Sequence, residues 1–128
     1  MKGLFIFSRR AAIFAAASMI AAGVVAPARA HSFLVEANPS SKDHVATAPK
    51  AVKLRFGGGV EPKYSKLSIE DASGKVLGEG ANGVPDKPRE LSMDAPELAA
   101  GKYVVRYRVL STDGHIVEGS YEFTVDPK

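Results

Sequence analysis

Gly101-Lys102-Tyr103-Val104-Val105-Arg106-Tyr107-Arg108-Val109-Leu110 is the stretch that decides the fold class. Tyr103, Val105, Tyr107 and Val109 share one parity, while Lys102, Val104, Arg106 and Arg108 occupy the other. A period of two sends successive side chains to opposite faces, so the segment reads as a strand with one buried and one wet face. The pattern repeats on both sides of it. Val52, Leu54 and Phe56 alternate with Lys53 and Arg55, Leu67 and Ile69 with Lys66, Ser68 and Glu70, and Tyr121, Phe123 and Val125 with Glu122 and Thr124. Segments 33–37, 75–79 and 90–93 are weaker candidates, for about seven strands in all. Asn38-Pro39, Ser73-Gly74, Gly83-Val84-Pro85, Ala100-Gly101 and Asp113-Gly114 supply turn chemistry between them. Helical periodicity is almost absent, and short strands at this spacing predict an all-β fold, an antiparallel β-sandwich. Residues 80–96, with Pro85, Pro88 and Pro96, read as a long surface connection.

The chain has 128 residues, one domain's worth, with 17 Lys+Arg against 14 Asp+Glu. Four of the bases and none of the acids lie in residues 1–30, which leaves 13 bases against 14 acids in the remainder. A net charge of −1 there removes the argument for nucleic acid or an acidic membrane surface as partner. Residues 1–30 have the layout of a secretory signal peptide. Lys2, Arg9 and Arg10 precede a 16-residue apolar run over 11–26, short for a membrane span, and Ala28-Arg29-Ala30 supplies a small-x-small cleavage pattern. Ser8-Arg9-Arg10 also resembles a twin-arginine signal, so either export route fits. Cleavage after Ala30 gives a mature domain of 98 residues, 31–128, that begins with His31 and inserts in no membrane. With no cysteine, a disulfide framework, a thiolate metal site and a cysteine nucleophile are excluded.

The P-loop, GxGxxG, HExxH and GxSxG motifs are all missing, and Gly57-Gly58-Gly59 reads as a bulge or wide turn, since no Lys-Ser/Thr helix start follows it. Chemistry is therefore sought in the histidines. As a chain terminus, His31 carries an α-amine and an imidazole that can close a chelate ring. Asp113 and His115, two residues apart, point to one face of an extended segment. Three nitrogens and one carboxylate oxygen suit tetragonal Cu(II). The bland reading leaves His31 incidental and makes Asp113-Gly114 a simple hairpin turn. His44, in the polar stretch Ser40-Ser41-Lys42-Asp43-His44, reads as a solvated loop histidine.

Four blocks carry a resemblance: His31-Ser32-Phe33-Leu34-Val35-Glu36 with Asn38-Pro39; Ala48 through Phe56; Gly101 through Leu110 continuing into Ser111-Thr112-Asp113-Gly114-His115; and Gly119 through Val125. Together they resemble the CopC family of periplasmic copper-resistance proteins over essentially the whole mature chain. The resemblance implies a small Greek-key β-sandwich of immunoglobulin/cupredoxin-like type. It also implies one Cu(II) bound by the α-amine and imidazole of His31, the imidazole of His115 and the carboxylate of Asp113. A monomeric periplasmic copper buffer or carrier, not an enzyme, is expected, cooperating with a CopD-type inner-membrane protein. Some members carry a methionine-rich Cu(I) site. Here the mature chain keeps only Met93, and soft Cu(I) prefers sulfur, so a second site is not expected. Phe56-Gly57-Gly58 replaces a common Phe-Ser-Glu, which leaves Glu61 as a possible acidic substitute near the metal, and Ile116 stands where many members have proline. Readings from other classes are a copper oxygenase using the terminal histidine chelate, and a metal-free interaction module.

Overall fold

The computed structural model describes residues 33–128, so the segment 1–30 and His31 lie outside the described residues. Nine strands run in chain order: β1 (Leu34–Asn38), β2 (His44–Val45), β3 (Ala51–Phe56), β4 (Lys66–Asp71), β5 (Val76–Gly80), β6 (Asn82–Val84), β7 (Lys87–Asp94), β8 (Gly101–Leu110) and β9 (Ile116–Val125). A single 3-10 turn, Pro62–Tyr64, separates β3 from β4. Two sheets face each other, ordered β1-β3-β7-β6 and β2-β9-β8-β4-β5. No helix among the described residues is long and apolar enough to cross a membrane.

Alternation read from the sequence becomes burial. Val52, Leu54 and Phe56 of β3 meet Leu67 and Ile69 of β4, Leu91 and Met93 of β7, Tyr103, Val105 and Val109 of β8, and Tyr121, Phe123 and Val125 of β9 in one core. Tyr103 stacks on Phe123 with ring centroids 5.6 Å apart, and Phe56 meets the edge of Tyr107 at 5.8 Å. On the wet faces the alternate residues pair across strands, as in Arg106 Nε with both carboxylate oxygens of Glu70 at 2.9 Å and Arg108 Nε with Glu118 at 2.8 Å. Such exposed pairs contribute little each, so the core carries the fold.

Three expectations need correction. Among the described residues the strands number nine rather than about seven, because β2 and β6 span only two and three residues, too few to show a period. Pairing is antiparallel except for β2 with β9, which run parallel through His44↔Thr124 and Val45↔Val125. Residues 80–96 are not a long surface connection: β6 and β7 form a hairpin there, and β7 is a central strand that also pairs with β3. The prolines avoid the ladder. Pro85 sits in the turn between β6 and β7, Pro96 follows β7, and Pro88 falls in the irregularity of the β6–β7 register, beyond the last β3 pair, Arg55↔Glu90. Where no ladder N–H is required, proline costs nothing in pairing.

Candidate metal centre

β8 and β9 are joined by Ser111-Thr112-Asp113-Gly114-His115. The Ser111 N–H donates to the His115 carbonyl at 2.8 Å, and the Gly114 N–H to the Ser111 carbonyl at 2.9 Å. Gly114 has φ 91°, a left-handed conformation that glycine adopts without steric cost. The segment is thus a tight turn, not the extended stretch expected from the two-residue spacing. Asp113 and His115 meet anyway, for a different reason: Asp113 Oδ1 accepts the His115 backbone N–H at 3.1 Å and lies 3.2 Å from His115 Nδ1. An aspartate that bonds the backbone two residues on is the local device that folds this turn.

The electrostatics follow from those bonds. A hydrogen bond from the Ser111 side chain, then the His115 backbone N–H, hold the Asp113 carboxyl down to about 2. Asp113 Oδ1 and His115 Nδ1, 3.2 Å apart, present an oxygen and a nitrogen donor side by side. Ser111 is buried at 2% exposure, and its hydroxyl also reaches the Gly59 carbonyl at 3.4 Å. As a sequence letter Ser111 shows no donor chemistry of its own. The signal that finds it is a serine two residues before an aspartate at a strand end, where a hydroxyl can bond the turn.

The glycine run gives the turn its tertiary partner. The Gly57 N–H donates to the Phe33 carbonyl at 2.8 Å, while the Gly59 carbonyl accepts the Thr112 N–H at 3.0 Å. Val60 bridges to Ser111, and the Glu61 N–H bonds the Leu110 carbonyl at 2.8 Å. Phe33 lies against Gly57, where a Cβ would sit 3.1 Å from its Cε1, and a Cβ on Gly59 would sit 3.0 Å from Thr112. One short wide turn, as its sequence suggests, therefore ties the start of the described chain to the residue before Asp113. Lack of side chains is what permits both close approaches.

The other residues singled out from the sequence fall elsewhere. His44 lies in β2 rather than a loop, exposed, with Nδ1 2.9 Å from Asp126 Oδ1. Its register partner Thr124 is eight residues along β9 from Ile116, about 26 Å at strand rise, so His44 is at the opposite end of the sandwich. Met93 is 2% exposed, in the core, and opposite Val52 at the far end of β3 from Phe56. Glu61 is near the turn through its backbone and precedes the 3-10 turn; its carbonyl accepts the Ser65 hydroxyl at 2.6 Å. Among the described residues, no three His, Cys, Asp or Glu side chains gather as a metal-holding group.

A family model described as the CopC domain matches residues 34–126, which include both Asp113 and His115. The chain belongs to the CopC family. The crystal structure of CopC from Methylosinus trichosporium OB3b is 73% identical and superposes with a TM-score of 0.75, covering 76% of this chain and 95% of that one. PcoC, titled a methionine-rich copper resistance protein from Escherichia coli, is 29% identical with a TM-score of 0.63, over 75% of this chain and 99% of its own. Copper resistance protein C of Escherichia coli is 33% identical over 112 residues, 80% of this chain and 87% of the relative. In this CopC domain Met93 is buried in the core, so its thioether contributes packing rather than a surface ligand.

Proposed function

We propose that this CopC-family protein is exported, cleaved after Ala30, and serves in the periplasm as a copper-resistance carrier or buffer holding one Cu(II). Four donors make the site: the α-amine and imidazole of His31, the imidazole of His115, and a carboxylate oxygen of Asp113. The observation that carries this reading is the glycine segment 57–59, hydrogen-bonded to Phe33 at one end and to Thr112 at the other. His31 is two residues before Phe33, a reach of at most about 7 Å of extended chain, and Asp113 follows Thr112 directly. The Asp113–His115 pair supplies two donor groups, and a chelating terminus supplies the remaining two nitrogens. Imidazole, amine and carboxylate suit the +2 ion, while the buried Met93 offers Cu(I) no sulfur.

Binding and transfer, not catalysis, is the role such a donor set serves, since a carboxylate donor from Asp113 would fill a coordination position that a copper oxygenase needs open. A CopD-type inner-membrane copper protein is the proposed recipient or collaborator. The test is competition titration of Cu(II) against a chelator, comparing protein that begins at His31 with protein that retains a methionine before it. Loss of affinity and a changed copper spectrum in the extended form are expected. Equal binding by both forms contradicts the terminal chelate.

A further inference from the structure

We propose that the open edge of β9, residues 116–120, docks an extended strand of a partner protein whose side chains alternate between apolar and basic. β9 pairs with β8 in unbroken register from Gly101↔Val125 to Leu110↔Ile116. On its other flank it has little company. Only β2 pairs there, at Thr124 and Val125, with Lys42 N–H to Glu122 carbonyl at 2.7 Å, Thr124 N–H to Asp43 carbonyl at 2.8 Å and Asp126 N–H to Val45 carbonyl at 2.9 Å. All three β9-side positions are even. Odd positions face β8, as the His115 carbonyl bonded to Ser111 confirms. Backbone groups alternate along a strand, so the N–H and C=O of Ile116, Glu118 and Ser120 face the β2 flank beyond the end of β2, with no strand of the described residues beside them. This edge has no bulge, proline or lysine to hinder strand addition, and its charges are Glu118 and Glu122.

The side chains specify the occupant. Glu118, Ser120 and Glu122 are exposed on the outer face, while Tyr121 is buried and Val117 and Gly119 are half-buried on the inner one. An added strand shares faces with the residues it lies opposite. Its outward side chains fall beside Glu122 and beside Glu118, whose carboxylate Arg108 already holds at 2.8 Å, so Glu122 carries most of the preference for Lys or Arg. Its inward side chains enter a cleft of about 320 Å³ lined by Leu34, Val35 and Ala37 of β1 and by Tyr121, together with the polar Glu36, Ser40 and Ser41, and its mainly apolar wall favours apolar residues. Val35 is 46% exposed at this cleft, and the buried Tyr121 hydroxyl has no hydrogen-bond partner among the described residues. A second copy fits poorly. Antiparallel self-pairing centred on Glu118 or Gly119 sets Glu118 directly or diagonally opposite its own copy, and like charges there repel.

Ile116 follows His115, so a strand on this edge ends next to the Asp113–His115 turn. Resting on the carrier reading above, the inference names the kind of protein that receives the metal: one that docks by strand addition, as other edge-binding partners do.

The probe is a soluble peptide of alternating Lys and Val, with a control peptide whose alternate amides are N-methylated. Amide hydrogen exchange of the metal-free processed protein is read residue by residue. Glu118 and Ser120 amides are expected to exchange freely alone, and about tenfold more slowly with the first peptide at about nine times its Kd, but not with the control. Ser120→Pro removes an outward N–H and no ladder bond, so it keeps the fold and abolishes the protection. Glu118→Lys weakens peptide binding without touching the backbone. Protection of Glu118 and Ser120 without peptide, protection only at other strands, or protection that grows with protein concentration through self-pairing overturns the proposal. A parallel copper titration separates the two readings. Copper binding without edge protection sinks the docking inference alone, and edge protection without copper binding upholds docking and sinks the carrier.

Discussion

Each end of the sandwich holds a histidine beside an aspartate, and we propose only one of the two as a metal centre. At one end His115 Nδ1 lies 3.2 Å from Asp113, and at the other His44 Nδ1 lies 2.9 Å from Asp126. The shorter pair is the poorer candidate. His44 and Asp126 come from segments 82 residues apart, with side chains 67% and 43% exposed, joined at a β2 only two residues long. Asp113 and His115 are held within one tight turn whose backbone bonds to itself, to buried Ser111 and, through the glycine segment, to the strand that begins near His31. What distinguishes them is rigidity: side chains held by a bonded backbone turn are pre-positioned to act together, as an exposed pair across distant segments is not.

The largest break in this comparison is expected from the histidines. His115→Ala should lower Cu(II) affinity by more than the about 10–100-fold that loss of an outer partner costs, whereas His44→Ala should leave it within about twofold. Chelator competition on both variants measures the contrast, and equal losses abolish it. Next in size is Ser111→Ala. Removing the buried hydroxyl loosens the Asp113 turn and leaves the Gly59 carbonyl without that contact, for about tenfold in affinity and about 1 kcal/mol in stability by chemical denaturation. A loss of stability with unchanged copper affinity would make Ser111 a core residue only.

Acid sharpens the comparison further. Nitrogen donors must shed protons to bind, with ordinary ranges near about 6.5 for imidazole and about 7.7–8.0 for an α-amine, so affinity should fall as pH drops from about 7 to about 5. Asp113, held down to about 2, stays ionised throughout that window, so Asp113→Asn lowers the affinity at every pH without moving the pH profile. The smallest effect is on the metal-free protein. Because the folded-state value lies below the ordinary 3.8, Asp113 adds stability that is present above 3.8 and lost as pH falls toward about 2. Asp113→Asn should flatten that acid limb in thermal melts from pH 5 to about 2.

How much of this was legible in the sequence differs by element. β8 was legible because its two faces meet different solvents, core for Tyr103, Val105 and Val109 and water for Lys102, Arg106 and Arg108. The first half of β9 was not, since inward Gly119 is apolar only by default and outward Ile116 is exposed, which blurs the period. β6 was read as a turn because Gly83-Val84-Pro85 carries turn chemistry, yet its partner β7 supplies the pairing. At the site, Asp113 and His115 were legible as donor chemistry. Their fixing by Ser111 and the approach of Gly57 to Phe33 and Gly59 to Thr112 depend on contacts distant in sequence, which no local pattern encodes.

Paramagnetic broadening by Cu(II) tests the two-ended account most directly. One equivalent added to the processed protein should broaden the amide signals of Phe33, Gly57, Gly59 and residues 112–116, and should leave His44, Val45, Thr124 and Asp126, about 26 Å away along β9, sharp. Broadening that begins at His44 and Asp126, or that affects both ends equally at one equivalent, would contradict it.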